Sequence, residues 1–505
     1  MQIINKIVTK IGAKRTEQIQ FFMKNAAEVQ NTELKNLLET AQNTEWGKKY
    51  NYEKIKDYQT FRQNVPVSSY DDLKPYIEKI RKGEQNILWH SEIKWFAQSS
   101  GTTSDKSKFI PVSNEALENC HFRGGKDLII LYSNAFPESN LFKGRALAVG
   151  GSRQIQNIDN NLYYGDLSAV IIQNLPFWAN FMRTPAKSIA LMPEWESKIE
   201  QMAEKTSKQN VTNISGVPSW TLVLMKKIIE ITGKKNLSEV WPNLDLFIHG
   251  GVSFVPYRKE FEKLIPSSQM RYMETYNASE GFFAVQDDLS NPGMLLMLDY
   301  GIFYEFIPMS DFEKGLMNAV SLEDVEIGIN YALVISTNGG LWRYLIGDTV
   351  IFTETIPYRI KIIGRTKHFI NAFGEELMIE NSDKAISKAC ELTGAIVNEY
   401  TAAPVFMSEN SKGRHEWLVE FSVLPANLGK FTEELDNALK SVNSDYEAKR
   451  YKSLSLTEPI IKIAKPNLFY LWLKNNNKLG GQHKIPRLSN NREYLEELLK
   501  LNELI

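Results

Sequence analysis

Cysteine is nearly absent. Cys120 and Cys390 are the only two in a chain of 505 residues, and they lie far apart. A disulfide framework is therefore excluded as the source of stability, and a reducing compartment suits the chain. No CxxC or HxxxH spacing occurs among the cysteines and six histidines, so no structural zinc site is suggested. No apolar run approaches the ~18 residues of a membrane helix. The first stretch, MQIINKIVTKIGAKR, lacks the apolar centre of a secretory signal. An excess of one charge is missing too: 59 Lys and Arg against 60 Asp and Glu leave a formal net charge of −1. That gives no electrostatic reason to expect nucleic acid or an anionic membrane as partner. Internal repeats and low-complexity segments are also absent. These absences point to a cytoplasmic globular protein.

The hydrophobic content of 43% is enough to build cores, and the length calls for two or three domains. TEQIQFFMKNAAEVQNTELKNLLETAQ (16–42) and DDLKPYIEKIRKGE (71–84) have helical periodicity. Further on, the β-rich runs RALAVGG, DLFIHGG, FFAVQ, GMLLMLDYGIFYEFIP and YALVIST alternate with helical SWTLVLMKKIIEIT and VPYRKEFEKLI. Such alternation predicts an α/β protein with mixed sheets. TVIFTET and YRIKIIG look like closing strands, and a new helical pattern begins after them. We therefore expect a large N-terminal domain over 1–365 and a small C-terminal α/β cap over 366–505.

One decamer, SSGTTSDKSK (99–108), cannot pack in a core. Its small residues offer hydroxyls and closely approachable backbone N–H groups, its lysines add positive charge, and together they could cradle a phosphate. It is not a Walker A loop, and taken alone it reads more readily as an exposed surface loop. Two later segments bear on the choice. ETYNASEGFF sets Glu280 before a strand-like run, and WRYLIGDTV sets Asp348 after a strand, beside a turn-forming glycine.

In this order, SSGTTSDKSKFIP, YNASEGFF and YLIGDTV resemble the three nucleotide-binding motifs of the Gretchen Hagen 3 family. These are the auxin-responsive acyl acid–amido synthetases, a branch of the adenylate-forming ligases. NTEWGKKY, YDDLKPYIEKI, LDYGIFYEFIP and GGQHKIPR resemble flanking segments of that family. The chain is shorter than the plant members and lacks their extensions, which points to a bacterial member.

The resemblance implies a site. Ser99, Ser100, Gly101, Thr102 and Thr103 would wrap the triphosphate of ATP, with Lys108 nearby. Tyr276, Asn277, Ala278 and Ser279 would border the adenine and α-phosphate, and Glu280 would help to hold Mg²⁺. Asp348 would bind the ribose hydroxyls, with Arg365 close by at a hinge formed by Arg365, Thr366, Lys367 and His368. Lys484 would reach in from the small domain during adenylation. The substrates implied are a small carboxylic acid and an amine, an amino acid by preference. Candidates for the acyl pocket are the segments YYGDLS, LPFWANFM, ISGVPSW and HGGVSF, with Tyr164, Phe177, Trp178, Trp220 and His249, although core packing is as common a fate for such side chains. His249 is expected to line or pack rather than act as a base.

Two positions depart from the family pattern. Asp105 stands where glycine is frequent, and Leu345 where arginine is common, so a charge beside the site would be lost. Two other functions stay open at this level: an acyl-CoA or carrier-protein ligase, and a nucleotide-binding regulator without catalysis. Nothing in the sequence sets the acid, the amine or the oligomeric state.

Overall fold

The computed structural model describes residues 2–100, 107–150, 155–157, 161–177, 179–192, 194–255, 257–366, 369–407, 411–451, 456–476 and 486–504. The N-terminal helical stretch is two helices, Gln2–Lys24 and Ala26–Ala41, broken at Asn25, whose φ of −126° and ψ of 44° are not helical. Helix Tyr70–Arg81 starts from a capping box between Ser69 and Asp72.

Fifteen strands belong to the two larger sheets. They are β1 (Trp95–Ser100), β2 (Ser107–Val112), β3 (Arg145–Val149), β4 (Gln156–Asn157), β5 (Tyr163–Gly165), β6 (Arg183–Thr184), β7 (Val211–Gly216), β8 (Leu246–His249), β9 (Arg271–Ala278), β10 (Gly281–Val285), β11 (Met294–Leu296), β12 (Ile302–Pro308), β13 (Asn330–Thr337), β14 (Tyr344–Thr355) and β15 (Tyr358–Arg365). An 11-stranded sheet runs β12-β13-β14-β15-β11-β10-β9-β8-β7-β3-β6. Its half from β9 to β6 is parallel and its other half antiparallel. A smaller sheet, β2-β1-β5-β4, carries the antiparallel β1–β2 pair. Helix Tyr70–Arg81 braces that pair: the Phe109 N–H donates to the Tyr70 hydroxyl at 2.9 Å, and the Arg81 guanidinium lies 3.8 Å from the Phe109 ring centre.

The run GMLLMLDYGIFYEFIP divides into β11 and β12. The chain turns at Gly301, whose φ is +69° and where a Cβ would lie 2.2 Å from the Asn338 amide nitrogen. Only glycine fits there.

After a short pair, β16 (Phe369–Ile370) and β17 (Leu377–Met378), the smaller C-terminal domain builds its own sheet from β18 (Ile396–Val405), β19 (Arg414–Val423) and β20 (Ile460–Ala464). Trp417, Tyr400, Phe431, Leu435 and Tyr446 form a separate core there. Glu375 is fully buried; it accepts hydrogen bonds from the Phe373 N–H at 2.7 Å and pairs with His415 Nε2 at 2.8 Å. The fold is the expected α/β architecture, a large N-terminal domain with mixed sheets and a smaller C-terminal one. The two domains touch where the Ser219 hydroxyl donates to the Phe373 carbonyl at 3.4 Å and the Ser107 hydroxyl to the Ser444 hydroxyl at 3.2 Å. Both cysteines are free. Among the described residues no helix is long and apolar enough to cross a membrane.

Candidate active site

In sheets with parallel strands, ligands sit beyond the carboxyl ends of the strands. The carboxyl ends of β3, β7, β8 and β9 open onto one cavity of about 1400 Å³. Gly250 lets β8 and β9 close up at this edge, since a Cβ there would lie 2.4 Å from the Thr275 carbonyl oxygen.

The cavity collects residues from all three motifs: Ser99 and Lys108, then Tyr276 to Glu280, then Asp348. Ser99 and Lys108 face each other across the β1–β2 pair. Gly101, Thr102 and Thr103 lie outside the described residues, as does the Ser100 side chain. Tyr276 and Asn277 end β9, and Ser279 and Glu280 make the tight connection to β10. Asp348 is not on a turn after a strand, as expected, but within β14, opposite Arg365 of β15. Gly347 beside it has a φ of +96°, which accommodates the irregular register that follows at Thr349 and Val350. The Tyr276 hydroxyl donates to Asp348 Oδ2 at 2.7 Å, and both side chains are buried. Burial pushes the Glu280 carboxyl up to about 7; Lys108 opposes that shift, and Glu376 and Asp348 add to it. Thr366 is tied back, its N–H donating to the Gly347 carbonyl at 2.8 Å. The Arg365 side chain, Lys367, His368 and Lys484 lie outside the described residues.

Trp220 and His249 line the same cavity. His249 stacks on Phe254 with ring centres 4.3 Å apart, and burial, followed by the Arg258 charge, lowers its pKa to about 3. It is therefore neutral at any working pH. Two of the expected acyl-pocket residues lie elsewhere. Phe177 is 78% exposed and packs edge-on against Phe181, while Tyr164 packs edge-on against Phe109. Leu175, Pro176, Ala179 and Met182 of the same segment line the cavity instead. Trp178 lies outside the described residues. Leu345 is on the face of β14 opposite Ile346 and Asp348, in an apolar cluster with Ile307, Ala332 and Val334. The expected loss of a charge beside the site is thus a change on the other face of the strand. Sequence reasoning missed Lys449, whose ammonium lies 3.9 Å from the Trp220 ring centre, and Glu376, a non-glycine residue with a φ of +40° on the cavity wall. Neither stands in the three nucleotide-binding motifs.

The GH3 family N-terminal domain matches residues 15–270, the family's central domain residues 295–365 and its C-terminal domain residues 380–493. The chain belongs to the GH3 family. This GH3 chain is 23% identical to indole-3-acetic acid-amido synthetase GH3.3 of Arabidopsis thaliana, over 93% of its own length and 90% of that protein's. It is 22% identical to the 4-substituted benzoates-glutamate ligase GH3.12 of the same plant, over 98% of each chain. In fold it resembles a GH3.15 acyl acid amido synthetase, with a TM-score of 0.60 at 19% identity, over 97% of this chain and 95% of that one. It also resembles a 2-hydroxyisobutyryl-CoA ligase solved with 2-HIB-AMP and CoA, with a TM-score of 0.56 at 14% identity, over 98% and 93%.

Proposed function

We propose that this GH3 chain is an ATP-dependent acyl acid–amido synthetase that adenylates a carboxylic acid and passes the acyl group to an amine of the amino-acid class. The observation that carries the reading is the meeting of residues from three sequence-distant motifs in the lining of one cavity, beside apolar side chains such as Leu175, Ala179 and Met182.

The donor set suits a magnesium nucleotide. Glu280 is a half-buried carboxyl opposed by the Lys108 charge, and a cation would let it ionise. Asp348 is already oriented by Tyr276 for the ribose hydroxyls. Ser99 to Thr103 and Lys108 would hold the phosphates, with Tyr276, Asn277, Ala278 and Ser279 along the adenine and α-phosphate. Magnesium would supply neutralisation of phosphate charge at Glu280.

In the first step a carboxylate oxygen of the acid bonds to the α-phosphorus as the bond to pyrophosphate breaks. The site's contribution is alignment and fixed positive charge. In the second step the amine nitrogen attacks the acyl carbonyl, loses a proton, and AMP leaves. We place the boundary at 365/366, with the hinge at Arg365 to His368 and Lys484 entering from the C-terminal domain for the first step only. Two free cysteines fit a cytoplasmic setting.

A panel of carboxylic acids with Mg·ATP, scored by pyrophosphate exchange and AMP release, tests the reading. Exchange should need an acid, and AMP release should rise with amino acids but not with CoA. Release driven by CoA alone would make the chain a thioester-forming ligase. Nucleotide binding without turnover on the whole panel would favour the regulator. Lys484→Ala should slow the first half-reaction by ~10²–10³ and spare the second. Equal slowing of both would remove the domain alternation.

A further inference from the structure

The far wall of the cavity is a sheet face whose pairing can be read directly. Arg183 of β6 pairs with Ala146 of β3, which pairs with Asn213 of β7. In the next row Ala148 pairs with Ser215, and Ser215 with Ile248 of β8. In-register partners share a face of the sheet, and all six residues line the cavity. Alanine and serine leave the floor low, so the trough continues across the sheet to its edge strand. Four strand spacings separate β9, with Tyr276 and Asn277, from β6, roughly 19 Å at ~4.8 Å each. At the end of that trough stands Arg183.

Arg183 is only 8% exposed. A guanidinium carries five N–H donors. One contact is satisfied, Nη2 donating to the Pro185 carbonyl at 3.1 Å. Nε and Nη1, both shielded from solvent, have no hydrogen-bond partner among the described residues. Among the described residues no carboxylate offsets the charge: burial lowers the Arg183 pKa. The charges around it have the same sign. Arg145 Nη1 donates to the Arg183 carbonyl at 3.3 Å, and Arg183 depresses Lys187, whose larger shift comes from burial. A buried arginine with open donors and no anion is costly in a folded chain unless something arrives to pair with it.

We propose that Arg183 is the anion-binding terminus of the acyl pocket, so that the acid this enzyme activates is elongated and carries a second anionic group, of the carboxylate class, at its far end. The inference rests on the amido-synthetase reading. One carboxylate is adenylated at the Glu280 end while the other pairs with the Arg183 guanidinium, whose unpartnered nitrogens turn to the cavity as the anion arrives and suit bidentate recognition.

The test compares α,ω-dicarboxylates with monocarboxylates of equal length in pyrophosphate exchange, using wild type, Arg183→Met and Arg183→Lys. Wild type should favour the diacid at some length by roughly 10–100-fold in kcat/KM, the scale of a hydrogen bond to a charged group. Arg183→Met should remove that preference and keep exchange with monoacids, and Arg183→Lys should retain part of it. A readout independent of turnover accompanies this. The diacid should raise the melting temperature of wild type but not of Arg183→Met, and Arg183→Met without ligand should melt no lower than wild type. Monoacids matching diacids at every length in an otherwise active wild type would overturn the proposal. So would an Arg183→Met variant that raises the KM for the amino acid and leaves acid preference alone, which would assign Arg183 to the acceptor's carboxylate. Absence of exchange with any acid would defeat the synthetase reading instead, and the diacid melting shift would still decide the role of Arg183.

Discussion

Arg343 and Arg183 are both withdrawn from water, one just before β14 in the antiparallel half of the large sheet and one on the edge of its parallel half. Four of the five Arg343 donors are paired. Its Nε and Nη2 donate to the two Glu305 carboxylate oxygens at 2.8 and 2.7 Å, and its Nη1 to the Val65 and Arg62 carbonyls at 2.6 and 3.1 Å. Glu305 itself is fully buried. Arg183 has one carbonyl and a cavity. The first arrangement closes on itself and ties the segment before helix Tyr70–Arg81 to the sheet. The second lies at the cavity wall with Nε and Nη1 buried and unpartnered among the described residues. The same contrast separates two acidic sites at the nucleotide end. Asp348 has its tyrosine donor in place, whereas Glu280 is a carboxyl kept partly protonated by burial. The paired arginine holds architecture, whereas at the cavity a paired carboxylate is held in place and an unpaired one is left to meet a cation.

The largest expected effect breaks the closed pair. Glu305→Gln keeps the shape and removes the charge, leaving Arg343 buried without a counter-ion. Removing one partner of a buried pair costs about 3–5 kcal/mol. The first unfolding transition in urea should move by that amount, whereas Arg183→Met should not lower it. A Glu305→Gln protein within ~1 kcal/mol of wild type would show that the two arginines do not differ in the way claimed.

Much of this contrast was hidden from the sequence, for physical reasons. Motifs encode backbone shape and small reactive residues, so the three motif segments were legible as a set, and residues of each line one cavity. So was the alternation of strand and helix, because periodic burial writes itself into residue order. Which side a given residue faces was not. In LPFWANFM the large aromatic was the natural choice for a pocket, yet Phe177 is exposed and the smaller Leu175, Pro176, Ala179 and Met182 line the cavity. Asp348 beside glycine resembled turn chemistry, but a long strand runs through it. Arg183 in FMRTP has no local feature that separates it from a surface arginine. Its burial arises from a two-residue strand aligned with Ala146, a contact 37 positions away in sequence.

Glu280 sharpens the comparison with a smaller, pH-dependent effect. Its folded pKa, raised to about 7 first of all by burial, lies above the ordinary glutamate range. The folded state therefore holds an extra proton between the two values. Stability contributed by this group is present at low pH and is lost as pH rises through that window, levelling off above about 7. With Glu280 holding magnesium as proposed, Mg·ATP would take the ionised carboxylate and release the proton, and affinity should rise with pH by up to roughly tenfold per unit below about 7. Glu280→Gln should flatten both dependences. Calorimetry in two buffers of different ionisation enthalpy reads the released proton. Its absence in wild type would show that Glu280 does not meet the metal.

The smallest effect belongs to the pair that is already made. Tyr276→Phe removes the hydroxyl that donates to Asp348 Oδ2 at 2.7 Å and leaves the ring on Phe283, whose centre is 4.8 Å away. A hydrogen bond to a charged group contributes about 1.5–3 kcal/mol. Part of that is recovered once ribose hydroxyls approach the same carboxylate. AMP affinity should fall by no more than about tenfold, and pyrophosphate exchange at saturating nucleotide should hardly change, because neither group touches the reacting bonds. The variant should also keep the proton release assigned to Glu280, since the two carboxyls answer to different partners. A drop in exchange at saturating nucleotide comparable to that of Lys484→Ala would mean that Tyr276 positions the reacting phosphate. Asp348 would then belong with the open groups rather than the closed ones.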